Sequence, residues 1–342
     1  MVQYVQALKH ELSLRRHYIK GSRVHTIYIG GGTPSLLPTN LLKELFEAIS
    51  LHFSIDAKAE VTIEANPDDV TQEWSQGLTG TPVNRISMGA QTFDDKLLRF
   101  IGRRHNAQQV IDAVRTCKEA GITNISLDLI YGLPGQTMEI WQKDVEQALG
   151  LDIKHLSAYA LSVEPGTPLY SSPYKGELEG VRYEELSRRM YNYLMNATSK
   201  AGFLHYEISN FALPGFHSRH NSSYWQGTPY LGIGAGAHSY DGKRLRRANL
   251  PDIKAYITSK EDMPNETEML NEDTLYNEFI MTRLRTSAGI PLEELSKTNR
   301  SYCLSMAQPH LRQKLLHINN EHLCLTKEGI FTSNDIISDL MK

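Results

Sequence analysis

The chain has 342 residues, 40% of them hydrophobic and 22% charged, with a formal net charge of -3 at pH 7. That balance describes a globular chain large enough for one sizeable α/β domain and a smaller second one, with no basic character to call for nucleic acid and no apolar run of about 18 residues to call for a membrane span or anchor. Cys117, Cys303 and Cys324 stand far apart and form no CxxC pair, so neither a disulfide framework nor a self-contained metal site is indicated.

The first predicted element is a helix running to about Tyr18, with Val5, Leu8 and Leu12 on one face. It lacks the apolar core and small-residue cleavage site of a signal peptide, so a cytoplasmic location is expected. Val24–Ile29 is a short apolar, β-branched run that reads as a strand buried on both sides of a parallel sheet. It leads into Gly30, Gly31, Gly32, Thr33, Pro34 and Ser35, where glycines let backbone N–H groups approach a ligand. A ligand-free βα turn reads the same way when taken alone. A helix at Asn40–His52, a strand at Glu60–Glu64 and a weaker helix from Asp69 follow. The next strand, Arg85–Met88, ends in Gly89, Ala90 and Gln91. Helices near Asp94–Ile101 and Ala107–Ala120 precede a strand at Asn124–Ile130, closed by Tyr131-Gly132-Leu133-Pro134. A helix at Met138–Leu149 then leads to a strand at His155–Leu161. Strands alternating with helices of this length predict βα units and a parallel sheet. Parallel strands present their carboxyl ends on one rim. Gly30–Thr33, Glu64, Gln91, Asp128 with Tyr131-Gly132, and Tyr159-Ala160 are therefore expected to converge on one cavity.

Beyond Glu164 the pattern changes. A long helix, Tyr183–Ala201, is followed by a loop-rich segment, Ala212–Tyr240. Gly232–Ser239 fails the G-x-G-x-x-G spacing and reads as backbone passing close to the barrel. Lys243–Arg247 reads as a solvated hairpin or a dock for carboxylates, and Pro251–Met269 as a linker with a short helix. A small helical domain begins at Leu275, with further helices near Pro291–Lys297 and Met306–Leu316. Leu323–Gly329 suggests a winged-helix hairpin before a last helix from Ser333. The helix in the recognition position is not notably basic, so a packing or lid role is expected there.

Six motifs then carry a resemblance: GGGTPS (Gly30–Ser35), TIEANP (Thr62–Pro67), NRISMGAQTF (Asn84–Phe93), IGRRH (Ile101–His105), LDLIYGLPGQT (Leu127–Thr137) and YALSVEPGTPLY (Tyr159–Tyr170). In order and length they resemble the radical S-adenosylmethionine proteins related to oxygen-independent coproporphyrinogen III oxidase. The resemblance implies a partial (β/α) barrel of the radical SAM type with a small, mostly helical, winged-helix-like C-terminal domain. The expected division is 1–211 for the barrel, 212–270 for a connecting segment and 271–342 for the C-terminal domain. Gly31, Gly32 and Thr33 would hold the methionine end of S-adenosylmethionine, and Glu64, Gln91, Arg103, Asp128 and Ala160 would line the rest of its site. Methionine's ammonium and carboxylate call for acceptors, amide donors and a guanidinium together. Ribose hydroxyls suit a carboxylate such as Asp128.

One branch of this family oxidises coproporphyrinogen III through a 5′-deoxyadenosyl radical; the other, of the HemW type, delivers haem. The second branch carries H-N-x-x-Y-W, which stands here as His220, Asn221, Ser222, Ser223, Tyr224 and Trp225. The resemblance implies haem binding by His220, Asn221, Tyr224 and Trp225, with His220 as the iron ligand and the aromatics over the porphyrin. Arg219 or the Lys243–Arg247 cluster would meet the propionates. Haem-accepting proteins, respiratory enzymes among them, are the implied partners. A phosphate-binding barrel enzyme using Gly30–Thr33 is a third, more distant reading.

The family's C-x-x-x-C-x-x-C loop, which gives three thiolates to a [4Fe–4S] cluster, is absent from the sequence, and none of the three cysteines can replace it. Either a cluster-bearing segment with the barrel's first strand stands ahead of residue 1 or the chain is truly truncated, and the intact downstream positions favour the first. As written, the chain is expected neither to assemble the cluster nor to cleave S-adenosylmethionine, and no catalytic residue is assigned. Val24–Ile29 would then be an exposed edge, liable to aggregate.

Overall fold

The computed structural model describes residues 1–19, 23–162, 164–167, 169–178 and 180–342; Val163 and Pro168 of the Tyr159–Tyr170 motif lie outside the described residues. In chain order the elements are α1 (Val2–Leu14), β1 (Val24–Ile29), α2 (Thr39–His52), β2 (Ile55–Ala65), α3 (Gln72–Leu78), β3 (Arg85–Gln91), α4 (Asp95–Phe100), α5 (Ala107–Glu119), β4 (Ile125–Tyr131), α6 (Met138–Gly150), β5 (His155–Ala160) and α7 (Val181–Lys200). There follow β6 (Leu204–Glu207), β7 (Asn210–Ala212), α8 (Arg219–Trp225), β8 (His238–Tyr240), β9 (Leu245–Asn249), α9 (Ile253–Thr258) and β10 (Asn265–Met269). The last stretch holds α10 (Glu272–Leu284), β11 (Ile290–Pro291), α11 (Lys297–Arg312), β12 (Leu316–Asn319), β13 (His322–Leu325), α12 (Lys327–Ile330) and α13 (Ser333–Leu340).

Among the described residues, seven strands form the main sheet in the order β1-β2-β3-β4-β5-β7-β6. Strands β2 to β5 run parallel, and β7 and β6 close the far side antiparallel. The βα units and parallel sheet expected from the alternating pattern, and the partial barrel that the resemblance implies, are therefore present, with a mixed edge that βα spacing did not suggest. The chain divides into two compact units: residues 28–36 with 60–218, and residues 1–27 with 37–59 and 219–342.

The barrel unit, residues 28–36 and 60–218, takes its core from the odd–even alternation of strands. Ile86 and Met88 of β3, Ile125, Leu127 and Leu129 of β4, and Leu156 and Ala158 of β5 are fully buried. The apolar stripes of α5 (Val110, Ala113, Val114, Cys117) and α6 (Trp141, Val145, Ala148) are buried too. Helix starts follow cap chemistry: Asn106 and Gln109 form a reciprocal capping box, and Thr71, Asp94 and Thr137 each accept a first-turn N–H. Asp144 of α6 is buried and accepts from Phe93 N (2.7 Å), Thr92 Oγ1 (2.8 Å) and Gln136 Nε2 (3.3 Å). It thereby pins the loops that follow β3 and β4.

The other unit, residues 1–27, 37–59 and 219–342, is held by a buried carboxylate. Glu11 of α1 is fully enclosed. Its Oε1 accepts from Arg15 Nη1 (3.2 Å) and Asn249 Nδ2 (2.8 Å), and its Oε2 from Gly234 N (2.9 Å) and Tyr256 Oη (2.6 Å). Arg15 is buried as well and reaches Gly232 O (2.9 Å) and Ser239 Oγ (2.9 Å). Within the same unit, α10, α11 and α13 bury Tyr276, Ile280, Leu284, Cys303, Ala307, Ile336, Ile337 and Leu340 around the small β11-β13-β12 sheet.

Several sequence expectations are corrected. Strand β1 is not buried on both sides; only Ile27 is buried, because β1 stands at an end of the sheet. Helix α1 ends at Leu14, where Arg15 turns inward to its partners. The HNxxYW motif is a short helix, α8, rather than loop. The linker contains a strand, β10, which pairs antiparallel with β9. Of the two helices expected after Pro291, the first is only a 3-10 turn, Leu292–Glu294, and the second begins earlier, as α11 at Lys297, and accommodates Pro309 inside. Gly232 lies against β8: a Cβ there would sit 2.0 Å from His238 O, so only glycine permits the approach. The Lys243–Arg247 stretch is a hairpin, but its arginines are engaged. Arg246 is bidentate to Glu278 (2.7 and 2.9 Å), Arg247 is bidentate to Asp262 (2.8 and 2.7 Å), and Arg244 pairs with Glu272.

Glu11→Ala leaves the Arg15 charge buried without its partner and is expected to cost about 3–5 kcal/mol in urea unfolding; a loss under about 1 kcal/mol contradicts this account. Burial pushes the Asp144 carboxyl up to about 6, against its three hydrogen bonds. The folded state holds that proton more tightly than the unfolded chain, whose aspartates titrate near about 4. The contribution of this group therefore falls as pH climbs from about 4 to about 6. Urea midpoints of the wild type and Asp144→Asn are expected to draw together across that window; a constant gap refutes the assignment.

Candidate functional site

In the barrel unit the carboxyl ends of the strands collect the residues singled out from the sequence. Gly31 (φ 80°) and Gly32 (φ 63°) adopt the left-handed conformation that favours glycine, and no atom lies within 4 Å of a Cβ added to either. Backbone shape, not crowding, requires them. Glu64, at the end of β2, takes Gly31 N on Oε2 (3.1 Å) and Tyr28 Oη on Oε1 (2.6 Å), so this carboxylate fixes the glycine turn. Ser35 donates to Asp69 Oδ2 (2.7 Å) and accepts from Asn66 N (3.2 Å), which anchors the turn's far side.

Gln91 ends β3 with φ 66° beside a register shift between Gly89 and Gln91. A Cβ at Gly89 would stand 2.7 Å from Gln91 Nε2 and 3.5 Å from Arg103 Nη2, so Gln91 and Arg103 converge over this glycine. Arg103 also donates to Asn66 Oδ1 (3.3 Å). Burial pulls its guanidinium below the ordinary value, and Asp128 and Asp68 oppose that shift. Ala160 ends β5 opposite Tyr131, on the exposed rim.

Asp128 lies on β4, opposite Gly89 of β3 and Ser157 of β5. Burial pushes its carboxyl up to about 6, while hydrogen bonds from Ser157 and Ser87 and the charge of Arg85 oppose this. Its Oδ1 is buried with no hydrogen-bond partner. An orphaned carboxylate oxygen in such a place is an open acceptor, costly unless a ligand's hydroxyl or amine satisfies it. Together the rim offers amide groups of a glycine turn, a guanidinium and a carboxylate acceptor. That set matches a zwitterionic ligand that also carries hydroxyls.

Sequence reading missed the polar interior beneath this rim. Register places Ser87, Ser126 and His155 in one row, with Arg85 two residues before Ser87 on the same face. Arg85 is 2% exposed and His155 is fully enclosed between Ser126 Oγ (2.7 Å) and Tyr206 Oη (2.7 Å). Burial pulls His155 well below its ordinary value, so it stays neutral. The signal was available: polar residues recur with period two in Arg85-x-Ser87-x-Gly89, Ser126-x-Asp128 and His155-x-Ser157-x-Tyr159.

Among the described residues, no three His, Cys, Asp or Glu side chains come together to hold a metal ion. Cys117, Cys303 and Cys324 are separate buried thiols; burial pushes Cys117 up to about 12.

The second group of residues lies in the other unit, on α8. His220 and Tyr224, one helical turn apart, share a face. The imidazole Nε2 lies 3.1 Å from Tyr224 Oη, and Nδ1 lies 3.0 Å from Thr26 Oγ1 of β1. The rings of His220 and Tyr224 meet edge-on at 5.0 Å, and Tyr224 meets Tyr230 edge-on at 4.8 Å. Tyr240 continues the row at 6.4 Å from Tyr230 and carries the Arg246 guanidinium 5.8 Å above its ring. Tyr224 is 40% exposed, so the row presents aromatic surface outward. Trp225 ends the helix with its Nε1 buried and unbonded. Arg219 donates to Lys58 O (2.7 Å). Thr26 and Tyr230 had no signature in the sequence, since both contacts are long-range.

Comparison with known proteins supplies the family. Residues 11–148 match the Radical SAM superfamily and residues 270–332 the HemN C-terminal domain. The chain is 38% identical to the heme chaperone HemW of Lactococcus lactis, over 93% of this chain and 85% of that protein. It is 36% identical to the heme chaperone HemW of Bacillus subtilis (98% and 90% covered) and 32% identical to that of Escherichia coli (91% and 82%). The solved structure of coproporphyrinogen III oxidase (HemN) from Escherichia coli superposes with a TM-score of 0.82 over 100% of this chain and 83% of that one, at 20% identity, which is a likeness of fold. With relatives this similar along nearly its whole length, the chain belongs to the HemW family within the radical SAM superfamily.

Proposed function

We propose that this protein is a haem chaperone, binding haem and passing it to acceptor proteins, respiratory enzymes among them. The observation that carries the reading is similarity to proteins named heme chaperone HemW along nearly the whole chain, the α8 helix included. His220, Asn221, Tyr224 and Trp225 form the haem-holding set, in the connecting segment 212–270 that joins the barrel, 1–211, to the C-terminal domain, 271–342. His220 gives Nε2 to the iron, and Tyr224 releases that nitrogen as the iron arrives. The exposed aromatic row suits a flat porphyrin face. Arg244, Arg246 and Arg247 are already paired with carboxylates, which argues against the hairpin as a propionate dock. Among the described residues no helix is long and apolar enough to cross a membrane, and the cytoplasm is the proposed place of loading.

The barrel rim is proposed as a site for S-adenosylmethionine: Gly31, Gly32 and Thr33 would hold the methionine end, Glu64, Gln91, Arg103 and Ala160 would line the rest, and the orphaned Asp128 oxygen would accept from the ribose hydroxyls. When bound with a cluster, this molecule supplies radical chemistry. The described residues hold no thiolate set for a cluster.

Titration with ferric haem, followed at the Soret band, tests the reading. Saturable binding by the wild type and its loss in His220→Ala are expected. Equal binding by both removes His220 as ligand, and no binding by the wild type defeats the chaperone reading for this chain.

A further inference from the structure

We propose that Thr26 is the positioning residue for His220: its hydroxyl fixes the imidazole as the tautomer that presents Nε2, rather than Nδ1, to iron. The inference rests on the haem reading of His220.

The geometry restricts the ring from both sides. Nδ1 lies 3.0 Å from Thr26 Oγ1 and Nε2 lies 3.1 Å from Tyr224 Oη. A neutral imidazole donates from one nitrogen and accepts at the other. A phenol is far more acidic than an aliphatic alcohol and is the better donor of the two. Tyr224 therefore donates to Nε2, and Nδ1–H donates to Thr26 Oγ1. The lone pair that a metal needs is then on Nε2, held under a hydroxyl that can rotate away with an exposed side chain.

Thr26 is suited to the task for two reasons. It sits within β1, whose backbone is tied into the sheet, with Val24 N bonded to Ser54 O (2.8 Å). It is also β-branched, so few rotamers are open to it and its hydroxyl has a defined direction. Tyr224, by contrast, belongs to the same short helix as His220 and moves with it. The ring is thus referenced to the strand through Thr26 alone of these two partners. Metal-bound imidazoles commonly donate their second N–H to an oxygen, and loss of that partner weakens metal binding by about 10–100-fold.

Two measurements on the full chain decide it. In the haem-free wild type, 15N shifts of the His220 ring, assigned by comparison with His220→Ala, are expected to show Nδ1 protonated. Predominant protonation at Nε2 overturns the proposal. Ferric haem titration of Thr26→Val is expected to show binding weakened roughly tenfold or more, with an altered Soret band and ferric electron paramagnetic resonance signal. Thr26→Ser is expected to restore all three. Wild-type affinity and spectrum in Thr26→Val overturn it. Should Thr26→Val fail to fold, the wild-type tautomer and Thr26→Ser still decide. If His220→Ala binds as the wild type does, the haem reading itself fails. If His220→Ala loses binding while Thr26→Val keeps it, only the role of Thr26 fails.

Discussion

The Glu11 carboxylate is the constraint on which the unit carrying α8 depends. A buried charge is tolerable only when its lone pairs are satisfied. Here a guanidinium, a side-chain amide, a backbone N–H and a phenol do so from four parts of the sequence. The phenol, Tyr256, is pushed well up by burial and by the Glu11 charge, so it remains a donor at any ordinary pH. Around this centre α1, the Gly232–Ser239 turn, β9 and α9 are fixed together, and glycine at 232 lets β8 pass within contact of the turn. Specificity is the gain from such a centre: an apolar patch would tolerate slippage, whereas this arrangement satisfies every donor in one register only.

The barrel unit solves a different problem. Its strands put apolar residues outward under the helices and polar ones inward, which leaves Arg85 and His155 enclosed and Asp128 half-buried. Below the rim Ser126, His155 and Tyr206 satisfy one another, while Arg85 Nε and Thr62 Oγ1 are buried without a partner. At the rim Asp128 keeps an oxygen without a partner and the glycine turn lies on the surface.

The sequence made the alternating elements of the barrel readable because βα units announce themselves locally, through period and turn residues. Strands β1, β3, β4 and β5 and helices α2, α5 and α6 fell within a few residues of expectation for that reason, while β2 begins five residues before the expected Glu60. Helix α8 and strand β10 were not readable, since Arg219–Trp225 has no buried stripe and Asn265–Met269 gains its strand character from pairing with β9. At the site, Gly31, Gly32, Glu64, Gln91, Arg103 and Asp128 could be named from motif and position, yet the use of Glu64 to brace the glycine turn could not. Nor could Thr26, whose partner lies 194 residues away. Chemistry written in one motif is legible; chemistry shared between distant segments is not.

The distance between Glu11 and its partners also orders events during synthesis. Gly234, Asn249 and Tyr256 lie 223, 238 and 245 residues beyond Glu11. At about 5–20 residues per second, the ribosome delivers Tyr256 on the order of tens of seconds after α1 has emerged. Throughout that interval residues 60–218 become available to fold, and α2, which packs on α1, is made well before Gly234, Asn249 and Tyr256. Until then Glu11 has, of its four hydrogen-bond partners, only Arg15 in the chain already made.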